Sequence, residues 1–163
     1  MAKFNSEIYK VKGIWIQDET KPAMTGFYYQ DERGRHFIVN DADFQHYKTT
    51  PYLLCRNTGI ELKDSSYIPY ENDVMQYTEP MSDKVYFGYL EFNQLRKCWG
   101  LITSSETRQF RPLDKCCKLA YTGKNILVSD EDMEWFAEYS KQEYEKSKSH
   151  VIDNSYCPSK FKK

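Results

Sequence analysis

Residues 26–39 read GFYYQDERGRHFIV and give the clearest indication of the fold. Two runs of aromatic and β-branched residues, 26–30 and 36–39, flank the polar segment 31–34. Aromatic and β-branched side chains favour strands, whereas aspartate and glycine are typical of tight turns. The stretch therefore predicts a β-hairpin.

Further segments with the composition of short strands lie on both sides of this hairpin. They span residues 8–16, 52–55, 74–77, 85–92, 98–103 and 116–121, and polar turns such as 122–125 separate them. Residues 41–47 are instead expected to form one or two helical turns, with Asn40 as the cap. Short strands with frequent turns favour a strongly twisted antiparallel sheet or a partly closed barrel.

One helix is predicted over residues 130–147. Ser129 is a capping residue with an acid three positions later, and the acidic first turn and basic last turns complement the helix dipole. The stripe expected to pack on the sheet contains Met133, Phe136, Ala137 and Ser140, with Trp135 and Tyr139 on its flanks. The chain is thus predicted to be mainly β (α+β), with one domain over 1–148 and a flexible, polar and basic tail over 149–163.

Composition and charge narrow the class of protein. The 163 residues carry a net charge of −1, so the whole-chain charge favours neither nucleic acid nor membrane. No stretch approaches the ~20 apolar residues of a membrane span, and no apolar signal-peptide core opens the sequence. The 5 cysteines form no C-x-x-C pair. We therefore expect a cytoplasmic protein with reduced thiols, no bound metal and no cofactor.

Motifs that carry catalysis are absent from the sequence, so we expect no enzyme activity. There is no phosphate-binding loop, no dinucleotide fingerprint and no nucleophile elbow, and the 3 histidines are scattered. Glu71 and Asp73 bring two carboxylates close together, but no third metal ligand is near them in sequence. We interpret the triplet 71–73 as a tight turn in which Asp73 binds nearby amides.

Two segments resemble the signature of the YopX family. Residues 56–64 read RNTGIELKD, and residues 68–75 read IPYENDVM. Weaker similarities at 26–29, 35–39, 87–92 and 121–126 follow in the family's order, so the resemblance covers about residues 24–135. Asn72 stands where the family has a glycine, a tolerable change because asparagine accepts a left-handed backbone. Ser65 and Ser66 stand where the first motif has its usual glycine.

YopX-like proteins are small proteins of phages and prophages, most of them without known biochemical activity. The resemblance implies a phage or prophage origin, and therefore the cytoplasm of a host cell as the place of action. It also implies an SH3-like β-barrel core, which agrees with the strand pattern.

Two charged sets are candidates for binding. The first combines basic and aromatic residues that can contact phosphates and bases: Arg96, Lys97, Trp99, Arg108, Arg111, Lys115 and Lys118. The second is the acidic start of the helix, which can face a basic groove: Asp130, Glu131, Asp132, Glu134 and Glu138. Each set also has a plain structural explanation, since lysines protect strand edges and acids stabilise helix starts.

We expect a non-enzymatic phage or prophage accessory protein that binds a host macromolecule, in its sharpest form a counter-defence, anti-CRISPR-like inhibitor of a host nuclease. The first alternative is a small nucleic-acid-binding module with Trp99, Arg108 and Arg111 as contacts. The second is a sponge for a small nucleotide signal, which requires a concave pocket with converging aromatic and basic groups.

Overall fold

A computed structural model describes the backbone of residues 9–155 and the side chains of residues 9–148. Within this range the helix α1 spans Asp130–Ser155, and two 3₁₀ turns span Pro51–Leu53 and Leu113–Lys115. The strands are β1 (Lys10–Ile14), β2 (Ala23–Gln30), β3 (His36–Asn40), β4 (His46–Thr49), β5 (Cys55–Arg56), β6 (Asp73–Thr78), β7 (Val85–Asn93), β8 (Cys98–Ile102), β9 (Phe110–Pro112) and β10 (Cys117–Asn125).

The strands form two antiparallel sheets. The N-terminal sheet has the order β4-β3-β2-β1-β5, and the C-terminal sheet has the order β10-β6-β7-β8-β9. The prediction of a mainly β, α+β protein with a C-terminal helix is confirmed. Strand ladders within residues 9–155 close neither sheet into a barrel.

The hairpin predicted at residues 26–39 joins β2 to β3. Asp31 Oδ1 accepts hydrogen bonds from the backbone amides of Arg33 (3.0 Å) and Arg35 (2.8 Å), and Gly34 has a φ of +77°. Gly26 is required by close packing, because a Cβ atom there would lie 2.0 Å from the carbonyl oxygen of Val39. Local turn chemistry and one close contact therefore set this hairpin.

Several predicted boundaries differ from the structure. The helical turns expected at 41–47 are absent: the Asn40 side chain instead caps a turn by accepting from the Ala42 amide at 2.7 Å, and His46 begins strand β4. The prediction of a turn at 122–125 is wrong, since β10 continues to Asn125 with a bulge. Strand β9 was not predicted, and α1 extends beyond residue 147 to Ser155. Residues 156–163 of the predicted tail lie outside the described residues.

Both faces of the C-terminal sheet are covered. On one face, Val74, Tyr89 and Ile102 pack against Phe136 of α1. On the other, a buried cluster contains Met75, Tyr77, Leu90 and Leu101 together with Leu62 from the segment between β5 and β6. Because side chains alternate along a strand, β6 to β8 supply apolar residues to both faces. This explains why their sequences are hydrophobic without a clear alternation.

The buried stripe of α1 is displaced from the predicted one. Phe136 and Ser140 are buried and Trp135 and Tyr139 are half-buried, as expected from their positions. Met133, however, is 49% exposed, and Ala137 is exposed as well. The true stripe follows positions 132, 135, 136, 139, 140 and 143, which is the spacing of one helix face. Within the described residues, no helix is long and apolar enough to cross a membrane.

Candidate functional site

One face of the N-terminal sheet displays aromatic side chains in two neighbouring rows. The strand register places Lys10, Phe27, Val39 and His46 in the first row, across β1 to β4. The second row contains Tyr29, Phe37 and Lys48. Directly paired residues of antiparallel strands point to the same side of the sheet, so these side chains share one surface. We call this surface the aromatic face.

The rings of the aromatic face are open to solvent to different degrees. Phe27 is 41% exposed, and Tyr29 and Phe37 are half-buried. The rings of Tyr29 and Phe37 are stacked, with centroids 5.2 Å apart and planes 17° apart. The Tyr29 hydroxyl lies 2.6 Å from His46 Nδ1, which holds the tyrosine ring in place. Each ring of a stacked pair keeps one face on which a further planar group can stack.

Positive charge borders these rings. The strand residues on this side of β1 to β4 include the lysines Lys10 and Lys48, a third lysine, Lys12, that is buried, and no carboxylate. The strand residues on the opposite side include no lysine and no carboxylate. Lys10 Nζ lies 5.9 Å from the centroid of the Phe27 ring, and the Arg35 guanidinium lies 5.6 Å from that of Phe37. The aromatic face therefore combines planar rings with cations on one surface.

Two of these cations also pair with acids from neighbouring turns. Lys10 lies 3.3 Å from Asp41, and Arg35 lies 2.6 Å from Asp31. Lys48 is half-buried and has no ion pair within the described part of the chain. An anionic ligand on the aromatic face would therefore meet Lys48 directly and compete with the two acids for Lys10 and Arg35.

A buried network joins the two sheets beside the aromatic face. Lys12 Nζ of β1 donates to Asp73 Oδ1 of β6 at 2.5 Å, to the Tyr67 hydroxyl at 2.7 Å and to the Tyr121 hydroxyl at 3.0 Å. The Tyr67 hydroxyl donates to Asp73 Oδ2 at 2.6 Å, and Asn125 Nδ2 donates to Asp73 Oδ1 at 2.9 Å. We call these five residues the Lys12–Asp73 network.

The network is almost completely removed from water. Lys12 is 6% exposed and Asp73 is 0% exposed. The rings of Tyr67 and Tyr121 stack 4.3 Å apart, and the ammonium group lies 5.3 Å and 4.8 Å from their centroids. Burial, and then the neighbouring Asp73 carboxylate, raise the pKa of Tyr67 well above its ordinary value. Since the ammonium group is fully paired, we assign the network a structural role: it fixes the N-terminal sheet against the C-terminal sheet.

The triplet 71–73 forms the turn that was expected. Asn72 has a φ of +70°, in the left-handed region that asparagine tolerates. Asp73 Oδ2 accepts from the Tyr70 amide at 2.8 Å. The pairing of Asp73 with Lys12 was not foreseen, because the two residues lie 61 positions apart and no local pattern connects them.

Cys55 lies next to this network and is 0% exposed. Burial raises the pKa of its thiol to about 11, so the thiol stays protonated near neutral pH. No cluster of three or more histidine, cysteine, aspartate or glutamate side chains that could hold a metal ion occurs in the part of the chain that the structure describes.

The basic set at residues 96–118 does not form one patch. Arg108 pairs with Glu91 at 3.2 Å, Arg111 with Glu79 at 3.2 Å, and Lys118 with Asp83 at 3.9 Å. The Arg96 guanidinium lies 5.6 Å from the Phe110 ring, whereas Trp99 packs against Phe92 and lies 5.6 Å from the Arg56 guanidinium. Lys97 and Lys115 are exposed. The strand register places Trp99 and Arg111 on the side opposite Phe110, so the set is divided between two faces.

Four of the five acidic residues at the start of α1 are exposed to solvent: Asp130, Glu131, Glu134 and Glu138. Asp132 instead has a structural role: it accepts from the Asn125 amide at 2.9 Å and lies 3.8 Å from Lys124. We call the four exposed carboxylates the acidic ridge.

Comparisons of this chain with protein-family models, with curated proteins and with solved structures find no match. The resemblance to the YopX family therefore stays a prediction from the sequence.

Proposed function

We propose that this chain is a non-enzymatic protein that binds single-stranded nucleic acid on the aromatic face. The observation that carries the proposal is the presence of Phe27, Tyr29 and Phe37 on one sheet surface that also bears lysines and no strand carboxylate. The proposal keeps the nucleic-acid-binding alternative but moves its contacts from residues 96–118 to the N-terminal sheet.

The chemistry of the aromatic face suits unpaired bases. Stacking of a base on an aromatic side chain contributes roughly 1–3 kcal/mol and depends little on sequence, because every base has a π-face. A sheet surface with aromatic side chains can splay out and stack successive bases of one strand. Lys10, Lys48 and Arg35 at the margins of the rings can contact the phosphates between those bases.

The proposal predicts that the intact chain binds fluorescent single-stranded oligonucleotides of mixed sequence, measured by anisotropy. Phe27→Ala and Phe37→Ala should each weaken binding by about 5- to 150-fold, the equivalent of ~1–3 kcal/mol per stacked base. With two or three phosphate contacts, a plot of the logarithm of affinity against the logarithm of salt concentration should have a slope of about −1.4 to −2.1.

Tyr52→Ala is the matched control, because Tyr52 is 86% exposed and belongs to the 3₁₀ turn Pro51–Leu53, not to the strands that carry the aromatic face. It should leave both affinity and salt dependence unchanged. Equal losses for Phe27→Ala and Tyr52→Ala, or stronger binding to duplex than to single strands, would contradict the proposal. Circular dichroism of each variant separates loss of binding from loss of fold.

A second candidate function is the inhibition of a host nuclease by direct protein contact, and the acidic ridge favours it. Four exposed carboxylates on the first turns of α1 form a surface of one charge that can meet a basic, nucleic-acid-binding groove. A phage or prophage origin and action in the host cytoplasm would accompany this function, as the sequence resemblance implies.

The second candidate predicts that the tagged chain retains one host protein from a bacterial lysate after nuclease treatment, as read by mass spectrometry. The triple variant Glu131→Gln, Glu134→Gln and Glu138→Gln should lose that protein, whereas Phe27→Ala should keep it. Loss of all retained proteins on nuclease treatment would instead favour the aromatic face as the functional surface.

A further inference from the structure

A cleft lies where the second half of α1 passes one end of the C-terminal sheet, so that Tyr77, from the sheet face away from Phe136, also lines it. None of its lining residues belongs to the aromatic face. Its volume is about 240 Å³, somewhat below the ~300–1,000 Å³ typical of pockets for drug-sized ligands. Side chains of β6, β7, the β8–β9 turn, β9 and α1 contribute to its lining. We call it the helix–sheet cleft.

Tyrosine rings supply much of the wall of the helix–sheet cleft. Tyr77 and Tyr86 are stacked, with centroids 5.7 Å apart and planes 26° apart. Tyr139 and Tyr144 approach from α1. Tyr139 is fixed in place because its hydroxyl accepts a hydrogen bond from the Phe87 amide at 3.1 Å. Rings on both sides of a narrow cleft favour a planar ligand.

Tyr77 gives an independent indication that the cleft is a binding site. The residue is only 2% exposed, yet its hydroxyl forms no hydrogen bond with any residue that the structure describes. The hydroxyl oxygen is not fully enclosed by protein, so it opens into the cleft that Tyr77 lines. Because no protein group pairs with it, only water or a ligand in the cleft can do so. A ligand with a polar edge would supply the missing partner.

The charged groups of the cleft limit the kind of ligand. Arg111 lies over the Tyr77 ring, 5.9 Å from its centroid, and pairs with Glu79 at 3.2 Å. Glu143 pairs with Lys84 at 3.3 Å and with Lys146 at 3.4 Å. Carboxylates accept hydrogen bonds from hydroxyl groups but repel phosphates. Hydroxyl and amide groups complete the lining: Thr103, Ser104, Thr107, Gln109, Ser140 and Ser147.

We propose that the helix–sheet cleft binds a nucleoside without a phosphate group. The base would lie against the tyrosine rings and offer a hydrogen bond to the Tyr77 hydroxyl, and the sugar hydroxyls would donate to Glu79 or Glu143. This differs from the nucleotide-sponge alternative drawn from the sequence, because two acids line the cleft and Arg111, the one cation among the lining residues that the structure describes, already pairs with Glu79. The site is independent of the aromatic face and does not rest on nucleic-acid binding there.

The test is calorimetric titration of the full chain with adenosine, guanosine, cytidine and uridine, and with the four corresponding 5′-monophosphates. At least one nucleoside should bind, and more tightly than its own monophosphate. Tyr77→Phe should weaken that binding by about 2- to 12-fold, the equivalent of one neutral hydrogen bond. Because the Tyr77 hydroxyl has no partner in the fold, Tyr77→Phe should leave the unfolding temperature unchanged or slightly higher.

Two further variants make the result decisive. Tyr52→Phe, which removes an exposed hydroxyl that does not line the cleft, should leave affinity unchanged. Glu143→Gln should reduce the preference for the nucleoside over its monophosphate. No heat from any nucleoside, tighter binding of a monophosphate, or unchanged affinity in Tyr77→Phe would each overturn the proposal.

Discussion

Lys12→Met should lower the free energy of unfolding by about 3–5 kcal/mol. The substitution keeps most of the volume of the side chain but leaves Asp73 without its cation, at a site that is 0% exposed. Two hydroxyl groups, of Tyr67 and Tyr121, lose a hydrogen-bond partner at the same time. An uncompensated buried charge accounts for most of the expected loss, since removing one partner costs far more than the intact pair contributes.

Urea unfolding followed by circular dichroism measures this effect, and Lys10→Met provides the matched control. Lys10 lies two residues away on the same strand and the same side of the sheet, but its partner Asp41, 3.3 Å away, keeps 30% of its side chain exposed. Its replacement leaves no fully buried charge and should therefore cost clearly less than that of Lys12. The double variant Lys12→Met with Asp73→Asn should recover part of the loss. A cost for Lys12→Met as small as that for Lys10→Met would show that the network does not hold the sheets together.

The Lys12–Asp73 network also shows what the sequence could not predict. The hairpin at residues 26–39 was correctly predicted because its turn chemistry lies within a few residues of its strands. The start of α1 was predicted for the same reason, since Ser129 Oγ accepts from the Asp132 amide as a cap. Lys12 and Asp73 meet only after two sheets have formed and packed, and neither residue has a local pattern that announces the other.

The candidate binding surfaces were also hard to predict because they depend on contacts between residues that are distant in sequence. The basic residues at 96–118 are close in sequence, but alternation along β8 and β9 sends neighbours to opposite faces, and three of them meet carboxylates from elsewhere in the chain. The aromatic face was missed although its strands were mostly predicted. Its signal depends on the register of four strands, and one of them, β4, was predicted to be helical.

The network and the aromatic face are physically connected. Lys12 lies on the same side of β1 as Lys10, one row from Phe27, so the network occupies one end of this surface. By anchoring β1 to β6 and β10, it determines how the N-terminal sheet sits against the C-terminal sheet. Loss of the network should therefore weaken ligand binding on the aromatic face more than ligand binding in the helix–sheet cleft.

Phe136→Ala should destabilise the chain by about 3–5 kcal/mol, whereas Met133→Ala should cost less than ~1 kcal/mol. The helical pattern in the sequence assigned both residues to the buried stripe. In the structure Phe136 is 2% exposed and packs edge-on against Tyr89, with ring centroids 5.3 Å apart, whereas Met133 is 49% exposed. Truncating Phe136 removes a large apolar side chain and leaves a cavity between α1 and the sheet.

Urea unfolding of the two variants tests whether the buried stripe of α1 is the one seen in the structure or the one predicted from the sequence. Both substitutions lie in the same helix, and both introduce alanine, the best helix former. Helix propensity therefore cannot account for a difference of several kcal/mol. Equal losses for Phe136→Ala and Met133→Ala would mean that α1 packs through the stripe predicted from the sequence. A large loss for Phe136→Ala alone would support the packing of α1 seen in the structure. In that packing Trp135 and Tyr139 face β7, and the centroid of each ring lies 5.2 Å from that of Phe87.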